Sequence, residues 1–335
     1  MHDNQQQLLD NRPQGAATTG NFKLVTTKTP ALTENQVLVR HHYLSLDPYM
    51  RGRMNDSKSY AVPQPLGQAM IGGTVGEVVD SKHPKFHVGD KVVGMGGWQH
   101  YSVVDGNAPG MLRKVDTTHV PLSQYLGAVG MPGVTAFYGL VKIISPKAGE
   151  TVTVSAASGA VGSAFGALAK ARGCRVVGIA GGKDKCDYVV KELGFDACID
   201  YKNEDVGAAL DRLCPSGIDI NFEQVGGPIM VEVMKRMKLF GRIALCGMIS
   251  SYNDVTPNEP PGFWTMILMR RLLIRGFIVT DFAPRFGESG MALAGWMLGG
   301  QLKTRQDIRP GLENAVSAVK ELYTGGNFGK LLIRP

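Results

Sequence analysis

The feature that most constrains the fold is a regular alternation of short apolar segments and helical segments between residues 151 and 280. Each apolar segment is short enough for one strand, and glycine, proline or acidic residues separate it from the next segment. Strands that alternate with helices predict βαβ units and a parallel sheet with helices on both faces. The predicted strands are TVTVSA, CRVVGIA, ACID, IDINFE, RIALCG and IRGFIVT, and the predicted helices include SAFGALAKARG, KCDYVVKELG, DVGAALDRLC and a segment near 229–239.

The first third of the chain has a different pattern. Short runs rich in valine and tyrosine, among them QVLVRHHYLSL and GGTVGEVVD, are broken by glycine, proline and aspartate, which is typical of a small β-barrel. The terminal segment NFGKLLIRP predicts a last strand that could return to this first domain. A chain of 335 residues is too long for one ordinary core, so we expect two domains.

Composition narrows the function classes. The net charge of +7 is spread along the chain without a basic run, so nucleic acid is not an expected partner. The polar start MHDNQQQLLDNRPQG has no apolar core of a signal peptide, and no apolar stretch reaches 18 residues, so we expect no membrane partner. These features favour a cytoplasmic enzyme or binding protein.

The cysteine and histidine patterns favour no metal site. Five cysteines lie beyond residue 173 without C-x-x-C spacing, which argues against a zinc cage and a disulfide framework. His41 and His42 are adjacent on a predicted strand and should point to opposite faces. The cysteines are Cys174, Cys186, Cys198, Cys214 and Cys246.

A glycine turn joins the first predicted strand of the alternating region to its helix. Gly159 and Gly162 occupy the second and third places of G-x-G-x-x-G, and Ala157 fills the first. Gly159 would admit a pyrophosphate to the backbone, and Gly162 would let helix and strand pack closely. The alternative is a tightly packed turn that binds nothing.

The end of the second strand bears on the choice of cofactor. A site for NAD predicts an acidic residue about 20 residues after the glycine turn, but this chain has Gly181 there, followed by Lys183 and Lys185. Glycine leaves room for a 2′-phosphate and lysine supplies positive charge, so the stretch favours NADP(H). The alternative is that both lysines belong to a solvated helix start.

Several motifs together resemble the zinc-independent medium-chain dehydrogenases/reductases. The nearest branch contains the leukotriene B4 dehydrogenase/15-oxoprostaglandin 13-reductases, the plant alkenal double-bond reductases and the bacterial NADPH-dependent curcumin reductases. The resemblance covers almost the whole chain, and LDPYMRGRM and ISSYN are its most specific parts. The motifs are LSLDPYMRGRM (44–54), GMPGVTAFYGL (130–140), AASGAVGS (156–163), VGG (225–227), GRIALCGMISSYN (241–253) and NFGK (327–330).

The resemblance implies a GroES-like β-rich catalytic domain, expected at 1–124 and 297–335, and a doubly wound Rossmann domain at 125–296. It implies NADPH, a homodimer, and reduction of the C=C bond of an α,β-unsaturated carbonyl. The cofactor-binding residues that it implies are Gly159, Ala160, Val161, Gly162, Gly181, Lys185, Tyr201, Gln224, Cys246, Gly247, Ser250, Tyr252, Phe277, Ile278, Val279 and Asn327. Two positions depart from the family pattern: Gln224 replaces the usual asparagine, and Phe137 replaces a common tyrosine.

Tyrosines are the candidates for the chemistry. Hydride addition to the β-carbon of an enone moves charge onto the carbonyl oxygen, and a tyrosine hydroxyl is a neutral donor at pH 7. Tyr252 follows a strand end and matches the family tyrosine, so it is the first candidate; Tyr49, after the predicted helix start Asp47-Pro48, is the second. The alternatives are a loop tyrosine that packs on the cofactor and a core tyrosine.

The sequence indicates a substrate class and a few residues that would contact the substrate. Tyr49, Tyr252 and Met131 are expected to contact a small apolar enone or enal. An apolar set is equally compatible with a substrate wall, core or a subunit contact; its members are Met131, Trp264, Met266, Met269 and Phe277. A quinone reductase of the same superfamily and a non-catalytic NADPH-binding protein are the alternative functions.

Overall fold

A computed structural model describes residues 1–255 and 264–335. These residues form two compact units. The first comprises Met1–Leu126, Gln306–Asn327 and Leu331–Pro335, and the second comprises Gly127–Arg305 and Phe328–Lys330. The domain assignment made from the sequence stays a prediction.

The first unit is built mainly from antiparallel strands. A seven-stranded sheet has the order β14-β15-β3-β4-β5-β7, with β6 paired to β3, and β1 and β2 form a separate two-stranded sheet. The predicted return of the terminal strand is observed as antiparallel pairing of β15 with β3. The elements are β1 (Asp3–Leu9), β2 (Phe22–Lys28), β3 (Gln36–Ser45), α1 (Tyr49–Arg53), β4 (Thr74–Ser81), β5 (Lys91–Gly94), β6 (Tyr101–Asp105), β7 (Leu112–Lys114), β14 (Gln306–Pro310), α9 (Ala315–Thr324) and β15 (Lys330–Arg334).

The second unit contains the alternating region. Its six strands have the order β10-β9-β8-β11-β12-β13 and pair in parallel, so β8 and β11 lie at the centre. The elements are α2 (Met131–Tyr138), a π-helical turn (Gly139–Ile144), β8 (Thr151–Ser155), α3 (Ala160–Ala171), β9 (Arg175–Ala180), α4 (Lys183–Lys191), β10 (Ala197–Asp200), α5 (Val206–Leu213), β11 (Ile218–Glu223), α6 (Gly227–Lys235), β12 (Met237–Leu245), α7 (Trp264–Arg270), β13 (Leu273–Gly276) and α8 (Phe286–Leu298).

The fold class predicted from the sequence is confirmed, but two elements differ. The helix expected near 229–239 ends at Lys235, because β12 begins at Met237 and pairs with β11. The strand expected through Phe277–Val279 ends at Gly276, opposite Leu245 where β12 also ends. Within residues 1–255 and 264–335 the strand pairing stops at that point, and the chain turns into a 3-10 helix that starts at Val279.

A buried histidine is part of the sheet of the first unit. His41 Nδ1 lies 2.8 Å from the carbonyl oxygen of Gln99, and Nε2 lies 2.9 Å from the hydroxyl of Ser102. Since a carbonyl only accepts, Nδ1 carries the proton and Nε2 accepts from Ser102. Burial lowers the pKa of His41 to about 4, so the ring is neutral near pH 7.

Among the helices of residues 1–255 and 264–335, none is long and apolar enough to cross a membrane.

Candidate active site

The glycine turn lies at the carboxyl end of β8, the central strand of the parallel sheet. Gly159 has extended backbone angles (φ −77°, ψ 171°) and directly precedes α3. The helix therefore starts at Ala160, which Val161 follows. A Cβ atom on Gly162 would lie only 2.4 Å from the carbonyl oxygen of Ala156. The helix therefore approaches the strand end as closely as a glycine permits. The first amides of a helix lack partners within the helix, and this geometry suits a pyrophosphate.

A second pair of glycines follows β9. Gly182 has φ 102° and ψ 147°, angles that only glycine adopts readily, and its N–H donates to Asp200 Oδ1 at 2.7 Å. Gly181 lies against the ring of Tyr201, since a Cβ atom on Gly181 would lie 2.8 Å from that hydroxyl oxygen. A larger side chain at 181 would therefore collide with Tyr201.

The two lysines of this stretch lie in the first turn of α4. Lys183 is exposed and pairs with Asp187 at 2.6 Å across one helical turn. Lys185 is half-buried and lies two residues further along the same turn. The two lysines thus differ in exposure, Lys183 being exposed and Lys185 more enclosed.

Glu223 is a residue that the sequence analysis missed. It ends β11 and is fully buried. Its Oε1 accepts from the backbone N–H groups of residues 224–226 at 2.8–3.0 Å and from the hydroxyl of Ser155 at 2.9 Å. Its Oε2 accepts from the side-chain amide of Asn221 at 2.8 Å. These donors compensate for burying the carboxylate and fix the loop after β11.

Gln224, the first departure from the family pattern, points toward the glycine turn. Its side-chain Nε2 donates to the carbonyl oxygen of Ser155 at 2.6 Å. The same Nε2 would lie 3.0 Å from a Cβ atom on Gly162. The longer amide therefore joins the loop after β11 to the turn after β8.

The loop after β12 packs on the loop after β11. The Ser250 hydroxyl donates to the carbonyl oxygen of Val225 at 2.6 Å, and the Ile249 N–H donates to that of Gln224 at 3.1 Å. Tyr252 closes this loop, because its hydroxyl accepts from the Met248 N–H at 3.2 Å. The structure thus brings together three predicted segments: the glycine turn, Gln224, and Gly247–Tyr252.

Both ionisable groups of this loop stay neutral near pH 7. Burial raises the pKa of Tyr252 above its ordinary value of 10, although the Met248 N–H acts in the opposite direction. Burial and the Glu223 carboxylate raise the pKa of the Cys246 thiol to about 12. A neutral tyrosine hydroxyl keeps its proton to donate.

Two aromatic side chains, those of Phe277 and Tyr138, pack inside the fold. Phe277 is buried with its ring 6.5 Å from that of Phe222. At the second position that departs from the family pattern, Phe137 has no hydroxyl, but the next residue, Tyr138, has one. Tyr138 is buried, its ring stacks on Phe282, and its hydroxyl donates to the carbonyl oxygen of Arg285 at 2.8 Å. Its hydroxyl is therefore used within the fold. Ile278 is extended and joins β13 to the 3-10 helix at Val279.

The apolar set has mixed surroundings. Met266 packs against a core cluster, whereas Trp264 and Met269 are about two-thirds exposed, at 64% and 67%. Met131 is the first residue of α2 and is 37% exposed.

The second tyrosine candidate belongs to the first unit. Tyr49 is the first residue of α1, directly after Pro48, and is half-buried against a core cluster. Burial and the neighbouring Asp47 raise its pKa, so it too stays a neutral donor. Arg51 fixes this helix to another segment, since its guanidinium donates to the carbonyl oxygen of Gly15 at 2.7 Å and 3.0 Å.

Asn327 is also in the first unit, after α9, and is half-buried. Across residues 1–255 and 264–335, no three histidine, cysteine or acidic side chains are grouped so that they could hold a metal ion.

Comparison with known proteins decides the family. Residues 5–112 match a family model described as the N-terminal domain of oxidoreductase, and residues 160–294 match one described as zinc-binding dehydrogenase. The NADPH-dependent curcumin reductase of Escherichia coli is 42% identical over 99% of this chain and 96% of its own length. The NADP(+)-dependent 2-alkenal reductase of Nicotiana tabacum is 43% identical over 89% of this chain and 87% of its own.

A solved structure agrees over nearly the whole length. The crystal structure of CurA from Vibrio vulnificus in complex with NADPH has a TM-score of 0.93 and 42% identity, and the match covers 98% of both chains. The chain belongs to the zinc-independent medium-chain reductases. The resemblance seen in the sequence motifs is thereby confirmed, and this family membership places the glycine turn and the 224–227 and 247–252 loops in an oxidoreductase fold.

Proposed function

We propose that this medium-chain reductase uses NADPH to reduce the C=C bond of small apolar enones and enals. The observation that carries the proposal is the contiguity of the glycine turn, the Glu223-anchored loop and the loop that ends at Tyr252. Phosphate-binding backbone and a neutral phenolic donor then belong to one connected set of loops. The names of the relatives from Escherichia coli and Nicotiana tabacum, and the NADPH complex of CurA, support this assignment.

The residues present fit NADP(H). The backbone of Gly159–Gly162 would hold the pyrophosphate, because glycines let it approach and the helix start favours an anion. Lys185 would pair with the 2′-phosphate, and Tyr201 would lie beside the adenosine. Gly181 carries no carboxylate that would repel that phosphate, and the ring of Tyr201 occupies the space where one would stand.

The remaining cofactor residues would surround the nicotinamide half. Cys246 and Gly247 begin the loop after β12, and Ser250 fixes that loop to the 225 carbonyl. A thiol that stays protonated offers no competing nucleophile toward an electrophilic enone. Phe277, Ile278 and Val279 would contribute mainly backbone, because the Phe277 ring packs inside the fold; Asn327 would add a polar side chain.

The chemistry needs one donor at the carbonyl oxygen of the substrate and, after hydride addition to the β-carbon, one proton at the α-carbon, which solvent or the same donor would supply. Bound NADPH supplies the hydride that adds to the β-carbon. Tyr252 would donate its hydroxyl hydrogen to the oxygen on which negative charge develops, and its raised pKa keeps that hydrogen in place near pH 7. Tyr49 and Met131 would contact the substrate, and Tyr49 is the alternative donor.

A panel of substrates tests the proposal. Purified chain is mixed with NADPH or NADH and with enals, enones, quinones and alcohols, and cofactor oxidation is followed by absorbance. We expect turnover with enals and enones and NADPH, with saturated carbonyls as products identified by mass spectrometry. Turnover of quinones alone would assign a quinone reductase, and NADPH binding without turnover would assign a non-catalytic binding protein.

A further inference from the structure

Two cysteines that take no part in the proposed hydride transfer lie in direct contact. Cys186 belongs to the first turns of α4, and Cys198 belongs to β10, twelve residues later. Their sulfur atoms are 2.9 Å apart, and the Cys198 thiol donates to Cys186 Sγ. Both side chains are partly accessible rather than fully buried. Because α4 returns directly to β10, the fold itself holds the two thiols together.

The two sulfurs differ in their readiness to ionise. The hydrogen bond from Cys198 lowers the pKa of Cys186 and raises that of Cys198. The thiolate is the form that reacts with peroxides, and Cys186 also lies near the start of a helix, where negative charge is stabilised. Cys186 is therefore the more nucleophilic sulfur, and Cys198 is placed to resolve it.

We propose that Cys186 and Cys198 form a peroxide-reactive dithiol site that closes to an intrachain disulfide. The Cys186 thiolate attacks one peroxide oxygen, so an S–O bond forms, the O–O bond breaks, and the released hydroxide takes a proton to become water. Cys198 sulfur then attacks Cys186 sulfur, so the S–S bond forms and the S–O bond breaks. The departing hydroxide takes the Cys198 proton and leaves as a second water. Two thiols lose two electrons in total, and one hydroperoxide gains them.

The geometry requires only a small movement. A disulfide has an S–S length of about 2.05 Å, so the sulfurs must approach by about 0.9 Å from their present 2.9 Å. Two other cysteines have different surroundings. The Cys174 thiol donates to the carbonyl oxygen of Lys147 at 3.4 Å. Cys214, directly after α5, is buried, and burial raises its pKa to about 11. The contact thus selects one pair among the five cysteines.

Peptide mapping of the full chain tests the site by thiol chemistry alone, independently of the proposed function. The reduced protein is exposed to hydrogen peroxide, blocked with N-ethylmaleimide, and digested with trypsin without reductant. Cleavage after Lys185, Lys191 and Lys202 separates CDYVVK from ELGFDACIDYK. We expect these two peptides linked, two hydrogen atoms lighter than their sum, and separated again by dithiothreitol.

Three variants distinguish this pair from general oxidation. Cys214→Ser should form the same linked peptides, because Cys214 takes no part. Cys198→Ser should stop at a sulfenic acid on Cys186, trapped by dimedone. Cys186→Ser should slow peroxide consumption by about tenfold or more, since the more acidic thiol is gone. Linked peptides that join other cysteines, or oxidation of Cys186 to sulfinic acid while Cys198 stays reduced, would overturn the proposal.

Discussion

The Gly226 N–H donates to Glu223 Oε1 at 2.9 Å, as one of three consecutive backbone donors that converge on a single buried carboxylate oxygen. Glu223→Gln keeps the size of the side chain but replaces one accepting oxygen by a donating amide. That amide must then face either backbone N–H groups or the Asn221 amide. We expect the free energy of unfolding to fall by about 1–3 kcal/mol, the cost of buried donors without acceptors. Urea unfolding followed by fluorescence measures the loss.

The matched control for this change is Glu288→Gln. Glu288 is exposed and pairs with Arg285 on the surface of α8. Its substitution should change the unfolding free energy by no more than about 0.5 kcal/mol. Equal losses in the two variants would contradict the role given to Glu223.

Lys185 should determine the preference for NADPH. Lys185→Ala removes the charge proposed to face the 2′-phosphate and should weaken NADPH binding by about 1–3 kcal/mol while NADH binding stays unchanged. Lys183→Ala is the control, because Lys183 is exposed and paired with Asp187. Isothermal titration with both cofactors gives the comparison. A larger NADPH loss in Lys183→Ala, or equal use of NADH and NADPH by the unmodified chain, would refute this assignment.

Tyr252→Phe removes the hydroxyl and keeps the ring, so it should distinguish the role of the one from that of the other. If the hydroxyl acts mainly in the transition state, kcat should fall by about 10²–10³ with NADPH affinity little changed. Tyr49→Phe should do less, and the double variant shows whether the two act together. Stopped-flow measurement of hydride transfer to an enone gives the rates. A normal kcat in Tyr252→Phe together with a loss in Tyr49→Phe would move the donor role to α1.

Activity should not depend on zinc. The first 173 residues contain no cysteine, and the proposed donor is a tyrosine, so the mechanism uses no metal. Prolonged chelation should leave enone reduction intact, and elemental analysis should find no stoichiometric zinc. A zinc atom retained by each chain, with activity lost on its removal, would contradict the mechanism.

His41 should make the fold acid-sensitive. Its pKa is about 4 when folded, against 6.5 in the unfolded chain, so the unfolded state binds the proton more readily. The contribution of neutral His41 to the free energy of unfolding is complete above pH 6.5 and is lost as the pH falls toward 4. The loss reaches roughly 2–3 kcal/mol at about pH 4.5. The stability difference between the unmodified chain and His41→Gln should shrink over that range. A stability difference between the unmodified chain and His41→Gln that stays constant with pH would disprove the prediction.

Sequence patterns predicted most of the second unit because each strand and helix there carries a local signal. The turn at Gly159–Gly162 and the helix start after Gly182 depend on backbone geometry that a glycine in the sequence indicates. The prediction of a strand at Phe277–Val279 was wrong: its apolar residues fit a strand, but in the described part of the chain β12 pairs with β13 only as far as Gly276. Local patterns do not record where a partner ends.

The side-chain contacts of the site could not be predicted from the sequence, because they too join segments that are far apart along the chain. Glu223 could have been suspected from its place at the carboxyl end of a predicted parallel strand, where ligand-binding residues gather. Of the four donors on its Oε1, however, one is the Ser155 hydroxyl on β8, 68 residues earlier in the chain, and three are backbone N–H groups of the loop that follows Glu223. The Gln224 amide and the Cys186–Cys198 contact likewise depend on distances that only the assembled sheet defines.

The contact between Gly181 and Tyr201 limits how a descendant of this chain could change its cofactor. An aspartate at 181, the simplest route to an NAD-type site, would meet the Tyr201 ring at the first carbon of its side chain. The ring would have to swing away or be replaced by a smaller residue, and either change would move the side chain that we propose lies beside the adenosine. A change of cofactor at position 181 therefore also involves position 201, and an engineer would have to design the two positions together.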